Sequence, residues 1–459
     1  MYRDAIVELE QWLNRARRKP LVIRGARQVG KTTLVRLFAE RFFDGLAELN
    51  FEREPKVAEL FAAKDPKETL RLLEPYLGRE IVAGRTLLFL DEIQATPEVL
   101  AALRYFYEEL PELHVIAAGS LLEIALERPA FSVPVGRIEY LHLGPMNFCE
   151  FLLAAGNEQL ARFLKGFAPA DSIPEALHDQ LLQWLRTFLV VGGMPDSVRA
   201  FLEGGSYRES EAVKHSILAT FHDDFGKYGP RVDTARLRKV FERLPHLVGT
   251  RFKYVNVDRE ERSRDLAGAL QLLTQARVAF RVRHTAANGV PLGAEADDRV
   301  FKVLCLDVGL MATASGLSIV DLEDARDVMM VHRGALCEQF VGQHLLYSAP
   351  PWEEPQLFYW SRERRGSAAE VDYVISQGSA VVPVEVKAGK TGTLKSLHVY
   401  LREKARSFAI RLNTAPPSML ETAIPLPGEE EAPFQLLSLP LYLAGQVRRL
   451  LQEYRAEPR

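Results

Sequence analysis

Cysteine is scarce: the 459 residues hold only Cys149, Cys305 and Cys337, far apart and with no Cys-x-x-Cys spacing. That excludes a disulfide scaffold and a cysteine-ligated zinc site, and it fits reduced thiols in the cytosol. Long apolar runs are missing too, with no stretch near the roughly 18 residues of a membrane span. The start, MYRDAIVELEQW, is charged and lacks an apolar signal core. The expectation is a cytoplasmic protein with no membrane partner. An excess of one charge is also absent, since 58 basic and 61 acidic residues leave a net charge of −3. Any grip on nucleic acid must therefore come from local patches. No internal repeat is evident, and low complexity is confined to PLPGEEEAP near the end.

Core-forming material is plentiful: 47% of residues are hydrophobic and 26% charged, on a chain longer than one typical domain. In the first 190 residues the apolar runs PLVIRG, LAELNF, TLLFLDE and LHVIAAGS alternate with amphipathic helical stretches. This predicts an α/β domain with a parallel sheet and helices on both faces. Residues 175–230 read as helical, broken at VVGGMPDSV. Residues 234–285 read as two amphipathic helices and the strand-like RVAFRVRHT. Beyond NGVPLGAEADD come RVFKVLCLDVG, a helix over 332–348 and a hairpin.

GARQVGKTT, residues 25–33, satisfies G-x-x-x-x-G-K-[ST] between a strand and an amphipathic helix. Gly25, Ala26, Arg27, Gln28, Val29 and Gly30 form a loop whose N–H groups cradle phosphates at a helix N-terminus. Lys31 would reach the β- and γ-phosphates of ATP. Thr32, followed by Thr33, would offer its hydroxyl to Mg²⁺. TLLFLDE ends in Asp91, a candidate magnesium acid, and Glu92, a candidate for polarising the attacking water. Ser120, at the end of LHVIAAGS, could sense the γ-phosphate or cap the following helix. Arg137 could stabilise transition-state charge in cis or from a neighbouring subunit, or serve as a surface ion-pair residue.

GARQVGKTTL, LFLDEIQ, AAGSLL, VGRIEYLHLGPMNFCEF, VVGGMPDSV and FKVLCLDVGLMA occur in this order. Together they resemble the prokaryotic AAA-type ATPases that carry the C-terminal domain of unknown function 4143. The resemblance implies an AAA-like module, a winged-helix-like middle and a restriction-endonuclease-like C-terminal domain. It also implies possible homo-oligomers assembled around the nucleotide.

Residues 234–285 hold twelve Arg or Lys against five Asp or Glu, a local excess on a nearly neutral chain. Arg262, Arg264, Arg277, Arg281 and Arg283 could meet DNA phosphates along a recognition helix and wing; the same charges could instead face an acidic surface of the protein. His222, Asp223 and Asp224 lack a second cluster and read as a polar helix end.

EVDYVI and AVVPVEV (370–375 and 380–386) read as a hairpin around a four-residue turn, with paired numbers summing to 755. Glu370, Asp372, Glu385 and Lys387 then share one face, opposite Val371, Tyr373, Val382, Val384 and Val386. Asp372 and Glu385 become diagonal neighbours within reach of one ion, with oxygen donors suited to Mg²⁺ or Mn²⁺. Asp372 followed by Glu385-Val386-Lys387 resembles the PD-(D/E)xK nuclease motif. Glu338, on the preceding helix, stands where such folds often add an acid. The expected domains are an ATPase domain over 1–190, a basic middle over 191–290 and a nuclease-like domain over 291–459. The function implied is an ATPase coupled to a DNA-directed, Mg²⁺-dependent nuclease-like module. The alternative is a nucleotide-gated switch or scaffold that binds DNA or a protein without cutting.

Overall fold

The computed structural model describes residues 1–126, 136–228, 232–317, 333–362, 368–389, 393–424 and 432–456. Most of PLPGEEEAP, and residues 363–367 before the hairpin, lie outside these. The chain divides into two compact units.

The first comprises Met1–Pro145 with Gln271–Val278 and Pro350–Pro355. Its strands are β1 (Leu21–Arg24), β2 (Gly45–Asn50), β3 (Thr86–Asp91), β4 (His114–Gly119) and β5 (Glu139–His142). They form an all-parallel sheet in the order β2-β3-β4-β1-β5. Every residue of β3 and β4 is buried, which is why both read as continuous apolar runs. β5 lies at the sheet edge with two of its four residues half-exposed, and no such run announces it. Helices α1 (Ala5–Leu13), α2 (Lys31–Phe42), α3 (Pro66–Leu77) and α4 (Pro97–Glu109) accompany the sheet. Val22, Leu49, Phe51, Leu88, Leu90, Leu103 and Phe106 belong to its core. Because β4 lies between β1 and β3, the C-terminal ends of these strands bring Gly25, Ser120 and Asp91 onto one rim.

The second unit comprises Met146–Leu270, Ala279–Ala349 and Gln356–Arg459. The turn expected at VVGGMPDSV separates the helices Glu175–Val191 and Pro195–Gly204. The strands are β6 (Ala279–Thr285), β7 (Ala296–Cys305), β8 (Leu357–Arg362), β9 (Ala369–Gln377), β10 (Ala380–Val386), β11 (Phe408–Asn413), β12 (Ser418–Ile424) and β13 (Ala432–Pro440). They form one mixed sheet in the order β12-β13-β11-β10-β9-β8-β6-β7. The expected wing strand is β6. It is paired on both sides, with β7 and β8, and its Ala279, Phe280, Val282 and Thr285 are buried. A strand with that many buried positions is stabilised inside a sheet rather than as a projecting wing.

The hairpin differs from expectation in two ways. Gln377 pairs with Ala380, leaving a two-residue turn in which Gly378 takes a left-handed φ of 58°. The pairing is shifted by two residues, and continuing it past Tyr373–Val384 sets Asp372 opposite Glu385 rather than opposite Pro383. Secondly, Phe358 pairs with Val374 and Trp360 with Val371, so β9 carries one extra residue there, a bulge. At that bulge the Tyr373 hydroxyl donates to the Glu338 carbonyl oxygen at 2.8 Å, while the neighbouring Asp372 joins an ion-pair cluster with the Glu338 side chain. Tyr373 was expected on the face away from the acids.

Candidate nucleotide site and C-terminal acidic cluster

The loop after β1 is built tightly. A Cβ on Gly25 would stand 2.3 Å from the Leu143 carbonyl oxygen, so only glycine fits. Gln28 (φ 64°) and Gly30 (φ 92°) turn the backbone through left-handed conformations into α2. Its N-cap, Gly30, offers no side-chain cap, which leaves the first amides of α2 available to an anion. Ala26 and Val29 are buried, whereas Arg27 lies near Glu52 and Thr33 is exposed. Lys31 is buried, its Nζ donating to the Gly25 and Ala26 carbonyls at 3.1 and 2.8 Å. Burial lowers its pKa to about 8, against the opposing pull of Glu92 and Asp91.

The Thr32 hydroxyl donates to Asp91 Oδ2 at 3.0 Å, and Asn50 Nδ2 approaches the same oxygen at 3.4 Å. Burial, and then the charge of Glu92, raise the Asp91 pKa to about 6. A carboxylate so placed is short of positive charge. Glu92 takes a left-handed φ of 51°, and its Oε2 accepts from Gln94 Nε2 at 2.5 Å. Ser120 is 1% exposed and its hydroxyl has no hydrogen-bond partner among the described residues.

Arg137 is placed differently from the loop residues: its Nε pairs with Glu108 Oε1 at 2.7 Å, on an exposed ion pair that Arg104 shares. Arg277, expected at a DNA surface, is buried, with Nε and Nη2 at 3.0 and 2.9 Å from Glu123 Oε1. Arg281 lies over the Phe301 ring, and Arg283 bonds Asp298 and Gln356. Of the five arginines, Arg262 and Arg264 remain exposed. His222, Asp223 and Asp224 end the helix Tyr207–Asp224.

In the second unit the acids of the hairpin gather around a residue that sequence reasoning did not single out. Lys302 of β7 is 2% exposed. Its Nζ lies 2.5 Å from Glu370 Oε1, 3.5 Å from Glu338 Oε2 and 3.7 Å from Asp372 Oδ1. Burial opposes its charge, but Glu338, Asp372 and Glu370 together raise its pKa. Burial and the charge of Asp372 push Glu338 well above the usual carboxylate range. Asp372 Oδ2 accepts from the Val386 amide at 2.8 Å. Lys387 Nζ holds Glu385 Oε1 at 2.6 Å, while burial and Asp372 raise the Glu385 pKa to about 7. Among the described residues no group of three or more His, Cys, Asp or Glu is placed to hold a metal ion.

A family model described as AAA domain matches residues 17–152, and the domains of unknown function DUF8612 and DUF4143 match residues 182–320 and 333–427. The chain thus carries an AAA domain and a C-terminal DUF4143 domain. No curated protein matches it. Among solved structures, the Walker-type ATPase PABY2304 of Pyrococcus abyssi is 17% identical, covering 68% of this chain and 95% of its own, at a TM-score of 0.43. The Aeropyrum pernix ORC2 protein (ADPNP-ADP complexes) is 14% identical, covering 69% and 94%, at 0.33. The Aeropyrum pernix ORC1 protein in complex with DNA is 13% identical, covering 70% and 94%, at 0.28. Among the described residues no helix is long and apolar enough to cross a membrane.

Three residues of the first unit escaped the motif reading. Asn50 and Gln94 hold Asp91 and Glu92, and buried Arg3 donates to the Val29 and Gly144 carbonyls, both at 2.7 Å. Gln94 lies within the quoted LFLDEIQ; Arg3 left no signal, because its partners are 26 and 141 residues away.

Proposed function

We propose that the AAA domain binds ATP with Mg²⁺ and hydrolyses it. The observation that carries this reading is the Thr32–Asp91 contact beside a buried Lys31. The loop amides and Lys31 take the β- and γ-phosphates, with Lys31 exchanging the Gly25 and Ala26 carbonyls for phosphate oxygens. The Thr32 hydroxyl and the Asp91 carboxylate are hard oxygen donors and, with Asp91 short of positive charge, fit Mg²⁺. Bound there, the ion would neutralise phosphate charge. Glu92, held by Gln94, orients the attacking water and accepts its proton, and the Ser120 hydroxyl donates to the γ-phosphate. Phosphate release by the wild type and by Lys31→Ala tests this directly: equal turnover in the two would refute the assignment.

We read the C-terminal unit as a DNA-directed module governed by the nucleotide state, with exposed Arg262 and Arg264 supporting phosphate contact. Binding without cutting is favoured over cleavage because Lys302 takes the middle of the acidic cluster. Fluorescence anisotropy on duplex DNA, with and without ATP, is paired with incubation in Mg²⁺ or Mn²⁺. Cleavage lost in Asp372→Ala and Lys387→Ala would establish the nuclease. Salt-dependent binding without cleavage establishes the switch, and no DNA binding at low salt points to a protein partner.

A further inference from the structure

We infer that Lys302 is the resident cation of the C-terminal carboxylate cluster, standing where the nuclease-like reading places a divalent metal and keeping that place metal-free while it is seated. The inference rests on that reading for the metal's expected position and on this chain's own residues for everything else. Glu338 comes from the helix Arg333–Leu346, and Glu370 and Asp372 come from β9. Their oxygens are the hard donors a divalent cation takes. Lys302 Nζ lies within 3.7 Å of all three and 5.5 Å from the centre of the Tyr359 ring.

The backbone fixes this arrangement. Lys302 pairs with Val282 in the β6–β7 ladder, so its stem enters the unit from a strand bonded along its length. An ammonium buried there is tolerable only among carboxylates, and the carboxylates only around a cation. Glu370 and Asp372, two residues apart on β9, supply two of the carboxylates beside its bulge.

A second observation comes from the adjacent strand. Glu385 is 5% exposed, and Lys387 satisfies its Oε1, but Oε2 is buried with no hydrogen-bond partner among the described residues. Glu385 feels the charges of Asp372 and Lys302. Acceptors therefore outnumber cations at this place, as expected where a single-charged lysine stands in for a divalent ion. Withdrawing Lys302 would leave the carboxylates of Glu338, Glu370 and Asp372, with Glu385 beside them, to a metal.

The test is Mn²⁺ binding followed by electron paramagnetic resonance on the full chain without nucleotide, in an Asp91→Ala background that silences the AAA domain. The parent should take up no Mn²⁺ at the C-terminal cluster. Lys302→Met should gain one Mn²⁺ per chain and lose it again with Asp372→Asn. Should Lys302→Met fail to fold, Lys302→Met/Glu370→Gln removes one charge of each sign and should show the same gain. Uptake of Mn²⁺ by the parent that vanishes with Asp372→Asn overturns the inference. So does the absence of any gain in a folded Lys302 variant. The parent measurement decides even if neither variant folds. DNA enters none of these readouts, so failure of the DNA-directed reading remains distinguishable.

Discussion

Lys31 Nζ donates to the Ala26 carbonyl oxygen at 2.8 Å, so the phosphate-binding loop is closed on its own lysine. The ammonium is buried, and burial is what lowers its pKa to about 8. Lys31→Ala removes the buried ammonium at the start of α2 that the phosphates would meet. We expect it to lower ATP turnover at least about a hundredfold, the usual scale for losing a preorganised charge donor. It should also erase the rise in melting temperature that ATP gives the wild type, read by differential scanning fluorimetry.

The same lysine makes nucleotide binding proton-linked. Above about pH 8 the free protein has partly lost the Lys31 proton, and phosphate binding must draw it back. Affinity should therefore fall as pH rises beyond 8, by up to about tenfold per unit. Calorimetry at pH 8.5 in two buffers of different ionisation enthalpy would register proton uptake; identical heats would remove Lys31 from the linkage.

Glu92 and Gln94 separate chemistry from positioning. Glu92→Gln keeps the shape of the site and removes the base, so ATP binding should persist while turnover drops by about two to four orders of magnitude. Gln94→Ala leaves the carboxylate but frees it from its 2.5 Å partner. A smaller loss in kcat with KM little changed is expected in steady-state kinetics, and rescue by Gln94→Asn would not be, because the shorter amide cannot span the gap. A Gln94→Ala enzyme as slow as Glu92→Gln would move Gln94 into the catalytic machinery itself.

Arg3 connects the chain's third residue to the loop. Its guanidinium satisfies the Val29 and Gly144 carbonyls at 2.7 Å each, and Arg3→Ala would leave both without that donor. A loss of about 1–3 kcal/mol in stability is expected from chemical denaturation, with weaker ATP binding because the backbone of the cradle loosens. A stable variant with unaltered ATP affinity would show that the loop holds its shape without Arg3.

Legibility in the sequence followed the range of the interactions. The cradle, Asp91 and Glu92 were readable because each is a short pattern on a strand end, and β3 and β4 because full burial writes an uninterrupted apolar run. β5 and β8, and β11 to β13 beyond the hairpin, were not picked out; β12 has five exposed residues at the sheet edge and carries little apolar signal. The acids of the hairpin were found, but their register hung on Gly378, whose left-handed φ shortens the turn by two residues. Lys302 sits 68 and 70 residues before Glu370 and Asp372, its hairpin partners, and nothing local marks it as the cation of their cluster. Arg277 of the basic block instead meets a glutamate 154 residues away, the alternative that its charge left open and that no local pattern marks.

Glu385 gives the C-terminal unit a signature in pH. Burial, and then the nearby charge of Asp372, raise its pKa from 4.5 to about 7. The folded chain therefore keeps a proton that the unfolded chain has already released between those values. Stability contributed by the protonated carboxyl is fully present below pH 4.5 and is lost as pH rises through 7. The melting temperature of the wild type, taken relative to Glu385→Gln by scanning calorimetry, should fall steadily across that window, since the amide cannot ionise. Lys387→Met should carry the fall on to higher pH, because the 2.6 Å contact with Lys387 holds the Glu385 pKa down. Parallel curves for wild type and Glu385→Gln would place the buried proton on another group of the cluster.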